Sequence, residues 1–251
     1  ETGETLALVV RMRGRQSAEQ SIDVAGPDIS LHLDLPPARG RITVTTASDL
    51  DVAYDGRVSL REALLFARGE RAPRGADRAY VSGDVGAGHG DDIVFAAETF
   101  AGARYLFLGS ALPPLDDDGD HLIGPGRQLT MMPAERAVIA GAGLTMGPGT
   151  AVTGLSLDGF DTGVAARGFG EVDIAEVTVL SAMVGIDAGE GAHAILDEVA
   201  VAAVLAPRLA TGGGIVEGQV TERDIGDPEA LTLVLDPPGE RAKLRFTGWQ
   251  G

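Results

Sequence analysis

Apolar and polar positions alternate along the first part of the chain. Leu6, Leu8 and Val10 fall on one side of a strand and Arg11 on the other, and residues 29–35 alternate in the same way. A period of two predicts half-buried β-strands. We therefore expect residues 4–41 to form an N-terminal β segment.

The pattern changes to helical spacing after residue 58. Ser59 and Glu62 are spaced as a capping box, in which each side chain hydrogen-bonds the other residue's backbone amide. Gly69 supplies a residue that ends helices. We expect a short helix near 59–68, followed by a loop over 70–92 and by strands at 93–95 and 105–108. The helix would bury a stripe made of Leu60, Ala63, Leu64 and Ala67.

A repeat appears further along the chain. Pairs of apolar residues separated by one position recur every 22 residues, and a Gly followed by Val or Ile recurs at the same step. A repeat of this length without a helical pattern predicts a solenoid, in which stacking of successive coils buries the core. The apolar pairs are Leu155 and Leu157, Val177 and Val179, and Val199 and Val201.

The end of the chain differs again. Gly212, Gly213 and Gly214 predict a joint, and residues 231–239 are similar to residues 31–37. The terminal coils of a solenoid expose core and unpaired strand edges, so they need caps. We therefore assign residues 42–210 to the solenoid and residues 211–251 to a C-terminal β segment.

Composition limits the partners and the compartment. The net charge of −17 disfavours nucleic acid and anionic membrane surfaces, and no apolar run is long enough to span a membrane. Cysteine and asparagine are absent, and Lys243 is the only lysine beside many arginines. The arginine bias is typical of a high-GC bacterial source, and the lack of cysteine excludes disulfides and thiolate metal sites.

Five short blocks, in order, resemble the opening region of bacterial pectin-lyase-like proteins. Residues 42–46, 58–64 and 90–95 are similar to that family's first strand, Ser-Leu-Arg-Glu-Ala capping helix and Asp-x-Ile-x-Phe strand, and residues 112–119 and 123–126 resemble the stretch before its regular coils. The resemblance implies an all-β, right-handed parallel β-helix with a short capping helix and flanking antiparallel β segments. The family includes surface proteins and adhesin-like repeats, and the wider fold includes polysaccharide lyases and hydrolases. The family's outward asparagine ladders are missing here.

Two sets of carboxylates are candidate sites. A dense acidic run could supply oxygens to calcium, although it lacks the EF-hand frame and a solvated turn is the favoured interpretation. In pectate lyases stacked aspartates hold calcium beside an arginine base, which makes Asp158, Asp161 and Arg167 the catalytic candidates by resemblance. The 22-residue step places Leu180 opposite Asp158, so no carboxylate ladder is expected there. The acidic run consists of Asp116, Asp117, Asp118 and Asp120.

Other candidates have weaker patterns. Residues 88–92 read Gly-His-Gly-Asp-Asp, which combines two polygalacturonase motifs, but a Gly-rich connector is the favoured interpretation because those motifs lie apart in the enzymes. The four histidines show no metal-ligand spacing. Sugar platforms need exposed aromatic rings, and the seven phenylalanines are expected in the core. The remaining aromatic candidates are Tyr54, Tyr80, Tyr105 and Trp249.

Two functions remain open. The first is a non-catalytic module, secreted or on the bacterial surface, that acts in adhesion by binding a surface protein or a glycan, with no cofactor. The alternative is a β-helix polysaccharide lyase or glycoside hydrolase acting on acidic polysaccharide, with calcium as the possible cofactor. No nucleophile elbow, phosphate-binding loop or dinucleotide motif points to another enzyme class.

Overall fold

A computed structural model describes residues 4–10, 18–24, 39–52, 54–88, 90–102, 104–116, 119–135, 141–202, 210 and 212–222. The helices among them are α1 (Leu60–Ala67), α2 (Ala97–Phe100) and a 3₁₀ helix at Gly75–Tyr80. The strands are β1 (Glu4–Val10), β2 (Ala18–Val24), β3 (Gly40–Val44), β4 (Val81–Ser82), β5 (Asp91–Phe95), β6 (Arg104–Leu108), β7 (His121–Ile123), β8 (Leu129–Pro133), β9 (Ala142–Met146), β10 (Ala151–Asp158), β11 (Thr162–Ala166), β12 (Gly170–Leu180), β13 (Val184–Ala188), β14 (Ala192–Ala202) and β15 (Ile215–Glu222).

The strands stack as the parallel coils of a β-solenoid of about four turns, as the sequence predicts. The first face contains β3, β5 and β7 with the N-terminal halves of β10, β12 and β14, and β15 pairs with both halves of β14. The second face contains β6 and β8 with the C-terminal halves of the same three long strands. The third face contains β9, β11 and β13.

The predicted 22-residue register is confirmed. Leu157 lies opposite Val179, and Val179 lies opposite Val201. On the third face Val164 lies opposite Ile186. These side chains are buried in the single apolar cluster that fills the solenoid, because each coil closes its core only against its neighbours.

Three corners turn each coil, and each carries a residue with positive φ at the same 22-residue step. The first corner, within the long strands, contains Gly154, Glu176 and Glu198, with φ of 69°, 51° and 50°. Such backbone favours glycine because a Cβ crowds the following carbonyl. The corners therefore hold non-glycine residues in a costly conformation. The second corner contains Gly159 and Ser181, and the third contains Gly168, Glu190 and Gly212.

The capping helix forms as predicted. Ser59 Oγ accepts from Glu62 N at 3.2 Å and Glu62 Oε2 accepts from Ser59 N at 3.0 Å, which completes the capping box. Helix α1 packs its buried apolar stripe against β3 and β5, and Gly69 follows it with φ of 66°. Burial raises the pKa of the Glu62 carboxyl, although the bonds with Ser59 act in the opposite direction.

The loop predicted over 70–92 is wrong in part. It contains the 3₁₀ helix, and β4 pairs antiparallel with β3. The fully buried carboxylate of Asp77 fixes this segment, because it accepts from Tyr54 N at 2.8 Å and Gly56 N at 2.9 Å. A buried side-chain anchor of this kind has no periodic signature in sequence.

Strands also form on either side of the predicted solenoid. At the N-terminus β1 and β2 form the expected antiparallel pair. The parallel sheet continues beyond residue 210, because β15 pairs in parallel with β14. The predicted alternating strand at 29–35 and the similar stretch at 231–239 lie outside the described residues.

Candidate functional site

The catalytic candidates lie at different corners. Asp158 ends β10 on the second face, Asp161 is exposed at the following corner, and Arg167 comes after β11. Because a strand rises about 3.3 Å per residue, the five residues of β11 hold the two corners on the order of 16 Å apart. The structure does not bring Asp158 and Arg167 together.

Arg167 is bound to the neighbouring coil. Its Nη2 lies 2.8 Å from Asp187 Oδ2, and its Nη1 donates to the carbonyl oxygen of Asp187 at 2.9 Å. Asp158 lies opposite Leu180, as predicted, so this strand pair forms no carboxylate ladder. The arginine therefore joins β11 to β13 and is not positioned as a base beside Asp158.

The acidic run is divided between two structural contacts. Asp116 pairs with Arg68, which also contacts Glu70. Asp120 is fully buried, and its Oδ1 accepts from Asp91 N at 2.8 Å. Asp117 and Asp118 lie outside the described residues. Within the described ranges no three His, Cys, Asp or Glu side chains are placed to hold a metal, so calcium stays a prediction.

The aspartates of the Gly-His-Gly-Asp-Asp stretch begin a strand instead of continuing a connector. Asp91 is fully buried and its Oδ2 accepts from Gly86 N at 2.9 Å. Asp92 Oδ1 lies 2.5 Å from Arg39 Nε and 3.8 Å from His121 Nδ1. Burial lowers the pKa of His121, and the nearby Arg39 guanidinium adds to this effect. His32, His89 and Trp249 lie outside the described residues.

An exposed aromatic pair lies on β6. Tyr105 is 58% exposed and Phe107 is 51% exposed, and their stacked rings have centroids 6.1 Å apart and planes inclined by 27°. Leu106 and Leu108 on the same strand are buried. The prediction that the phenylalanines lie in the core is therefore wrong for Phe107. It is also wrong for Phe169, which is 86% exposed.

The strand register aligns further side chains with this pair along the second face. Tyr105 lies opposite Thr130, Thr130 opposite Ser156, and Ser156 opposite Thr178. Phe107 lies opposite Met132, and Asp158 follows at the next position along β10. Ser156 and Thr178 are buried, whereas Thr130, Met132 and Asp158 are partly exposed. We name the accessible part of this row the aromatic–hydroxyl face and define it by five residues: Tyr105, Phe107, Thr130, Met132 and Asp158.

Polar groups in and beneath this face are only partly hydrogen-bonded within the protein. Ser156 Oγ donates to the Arg127 carbonyl oxygen at 2.8 Å. Asp158 Oδ1 and Thr178 Oγ1 are buried and have no hydrogen-bond partner among the described residues. A buried polar atom without a partner is costly in a protein. Both atoms are shielded from the surface, whereas the Asp158 residue as a whole is partly exposed.

Sequence reasoning missed Phe107 but contained a signal for it. Residues 105–108 alternate aromatic and leucine, so a strand that buries the leucines must direct both rings outward. Asp158 was a candidate for catalysis, and the structure places it beside hydroxyl and apolar side chains instead of a base. A few polar groups beside apolar and aromatic surface are typical of small-molecule and sugar recognition.

Two further findings concern membrane spans and similarity to known proteins. Among the described residues no helix is both long and apolar enough to cross a membrane. Comparison with protein-family models, with curated proteins and with solved structures finds no match to the chain. The assignment of the solenoid therefore rests on the strand pairing and burial described above.

Proposed function

We propose that this chain is a non-catalytic extracellular module that binds a glycan on its aromatic–hydroxyl face. The observation that carries the proposal is the stacked, exposed pair of Tyr105 and Phe107. Exposed apolar side chains that adjoin each other mark binding surfaces, whereas single ones are common on any protein. The C–H faces of sugar rings can pack on aromatic rings while their hydroxyl groups bond neighbouring polar atoms.

The scaffold favours binding because the rings are fixed before a ligand arrives. Strand β6 pairs with β8 along all five of its residues, and its leucines are anchored in the core. Binding therefore costs little conformational entropy in the protein, which improves affinity for a given contact area. The same rigidity suits a spacer module that holds its binding face at a distance from the cell.

We also propose a bacterial source and a secreted or cell-surface location. The support is the resemblance of residues 42–126 to the opening region of bacterial pectin-lyase-like proteins, together with the arginine bias. The alternative function, a lyase or hydrolase acting on acidic polysaccharide, has less support because Asp158 and Arg167 lie at different corners. Incubation with uronic-acid polysaccharides, with calcium and with chelator, would test it by the appearance of unsaturated or reducing-end products.

Binding to a panel of soluble polysaccharides tests the proposal directly. The variant Tyr105→Ala/Phe107→Ala is expected to lose at least tenfold in affinity, because two stacking rings are removed together. Phe169→Ala is the matched control, since Phe169 is even more exposed but lies outside the face. The proposal is wrong if both variants bind like the unmodified chain, or if no polysaccharide binds.

A further inference from the structure

The aromatic–hydroxyl face contains one charged side chain, the carboxylate of Asp158. The chain around it carries a net charge of −17, and Asp161 is exposed at the next corner. A polymer of uronates or sulfated sugars would bring its own anions to this carboxylate. Like charges at close range repel, so the face disfavours an acidic ligand.

Two arginines that adjoin the strands of this face, Arg127 and Arg104, are bonded to other groups. Arg127 Nε donates to the Glu176 carbonyl oxygen at 3.2 Å, and its Nη2 donates to the Glu198 carbonyl oxygen and lies 3.9 Å from the Glu198 carboxylate. Arg104 is exposed at the start of β6, and its Nε donates to Thr99 O at 3.2 Å. Both cations are engaged by oxygen atoms outside the face.

The remaining chemistry of the face suits hydroxyl groups. A carboxylate is an acceptor only, and a sugar hydroxyl is a donor that can satisfy it. Thr130, which is partly exposed on β8, can donate or accept a hydrogen bond. Strands lie about 4.8 Å apart, so Asp158 on β10 lies roughly 10 Å from Phe107 on β6. One extended oligosaccharide can therefore contact the rings and the carboxylate together.

We infer that the ligand of the aromatic–hydroxyl face is a neutral glycan, whose sugar rings stack on Tyr105 and Phe107 and whose hydroxyl groups donate to Asp158. This inference rests on the proposed glycan-binding function and narrows its ligand class. It reverses the preference for acidic polysaccharide that the family resemblance implies.

The test uses matched pairs of oligosaccharides: a glucan, a mannan and a galactan oligomer, each beside the uronate made from it by oxidation of the primary hydroxyl groups. Calorimetric titration of the full chain is expected to show that a neutral member binds at least tenfold more tightly than its own uronate. In Asp158→Asn the neutral member is expected to bind about tenfold more weakly, because a charge-assisted hydrogen bond is replaced by a neutral one. The uronate is expected to bind more tightly to this variant.

Asp161→Asn is the matched control, because it removes the same charge outside the face and is expected to leave affinity for the neutral member unchanged. Thermal unfolding of each variant checks that the fold is kept. Tighter binding of a uronate than of its neutral partner, or unchanged neutral binding in Asp158→Asn, would overturn the inference while the glycan-binding function stands. If no member of any pair binds, the proposed function itself fails.

Discussion

The first corner of the solenoid gives the sharpest stability prediction. Gly154, Glu176 and Glu198 occupy the same position of three successive coils, all with φ between 50° and 69°. A non-glycine residue in this conformation costs about 1–2 kcal/mol, whereas glycine costs about 0.5–1 kcal/mol through the entropy of the unfolded chain. The difference predicts that Glu176→Gly raises the free energy of unfolding by about 0.5–1 kcal/mol.

The reciprocal change has the opposite sign. The backbone of Gly154 has φ of 69°, and a Cβ added there would lie 3.1 Å from the Gly124 carbonyl oxygen. Strain and crowding together exceed the entropy gained in the unfolded chain, so Gly154→Ala is expected to lower the free energy of unfolding by about 1 kcal/mol.

Urea unfolding, with the midpoint and slope fitted separately, measures both changes. Glu171→Gly is the control, because Glu171 is an exposed glutamate on β12 with ordinary extended backbone. It is expected to lose about 0.5–1 kcal/mol. If Glu176→Gly is destabilised as much as Glu171→Gly, the stacked positive-φ corner and the coil register built on it are incorrect.

Three further changes test the cap and the core. Ser59→Ala removes the helix cap and is expected to cost about 1 kcal/mol, seen as a fall of roughly 2–4 °C in Tm; an unchanged Tm would contradict the capping box. Glu62→Gln is expected to flatten the pH dependence of the free energy of unfolding. The pKa of the Glu62 carboxyl is raised in the folded protein, so its contribution to stability is full below its ordinary pKa of 4.5 and is lost as pH rises through the folded pKa. Parallel stability curves for the variant and the unmodified chain from pH 4 to pH 7 would refute this. Leu157→Ala, fully buried, is expected to cost about 2–5 kcal/mol by urea unfolding, whereas Met183→Ala, 51% exposed, should cost under about 0.5 kcal/mol; equal losses would contradict the assigned core.

Much of the fold was predictable because it repeats. Burial of Leu157, Val179 and Val201 in one row follows from their 22-residue spacing, and stacking of coils is the arrangement that buries all three. The cap at Ser59 was predictable because its signal is confined to four adjacent residues. Both inferences use local patterns whose consequence does not depend on the rest of the chain.

The site was less predictable because it depends on side chains from separate coils. The composition suggested that Phe107 is core, and only the alternation within β6 places it outside. Asp158 and Arg167 are nine positions apart in sequence, but a strand between two corners separates them. Asp77 is buried far from any apolar pattern, because its role is to bind backbone amides of another segment.

Contact between a sugar and the two stacked rings is the central claim of this account. The most direct measurement is the set of nuclear Overhauser effects between a bound neutral oligosaccharide and the aromatic protons of the protein, assigned by comparison with Tyr105→Ala and Phe107→Ala. We expect cross-peaks from sugar ring protons to both Tyr105 and Phe107. Cross-peaks confined to Phe169 or to other aromatic residues, at saturating ligand, would contradict the assignment of the binding face.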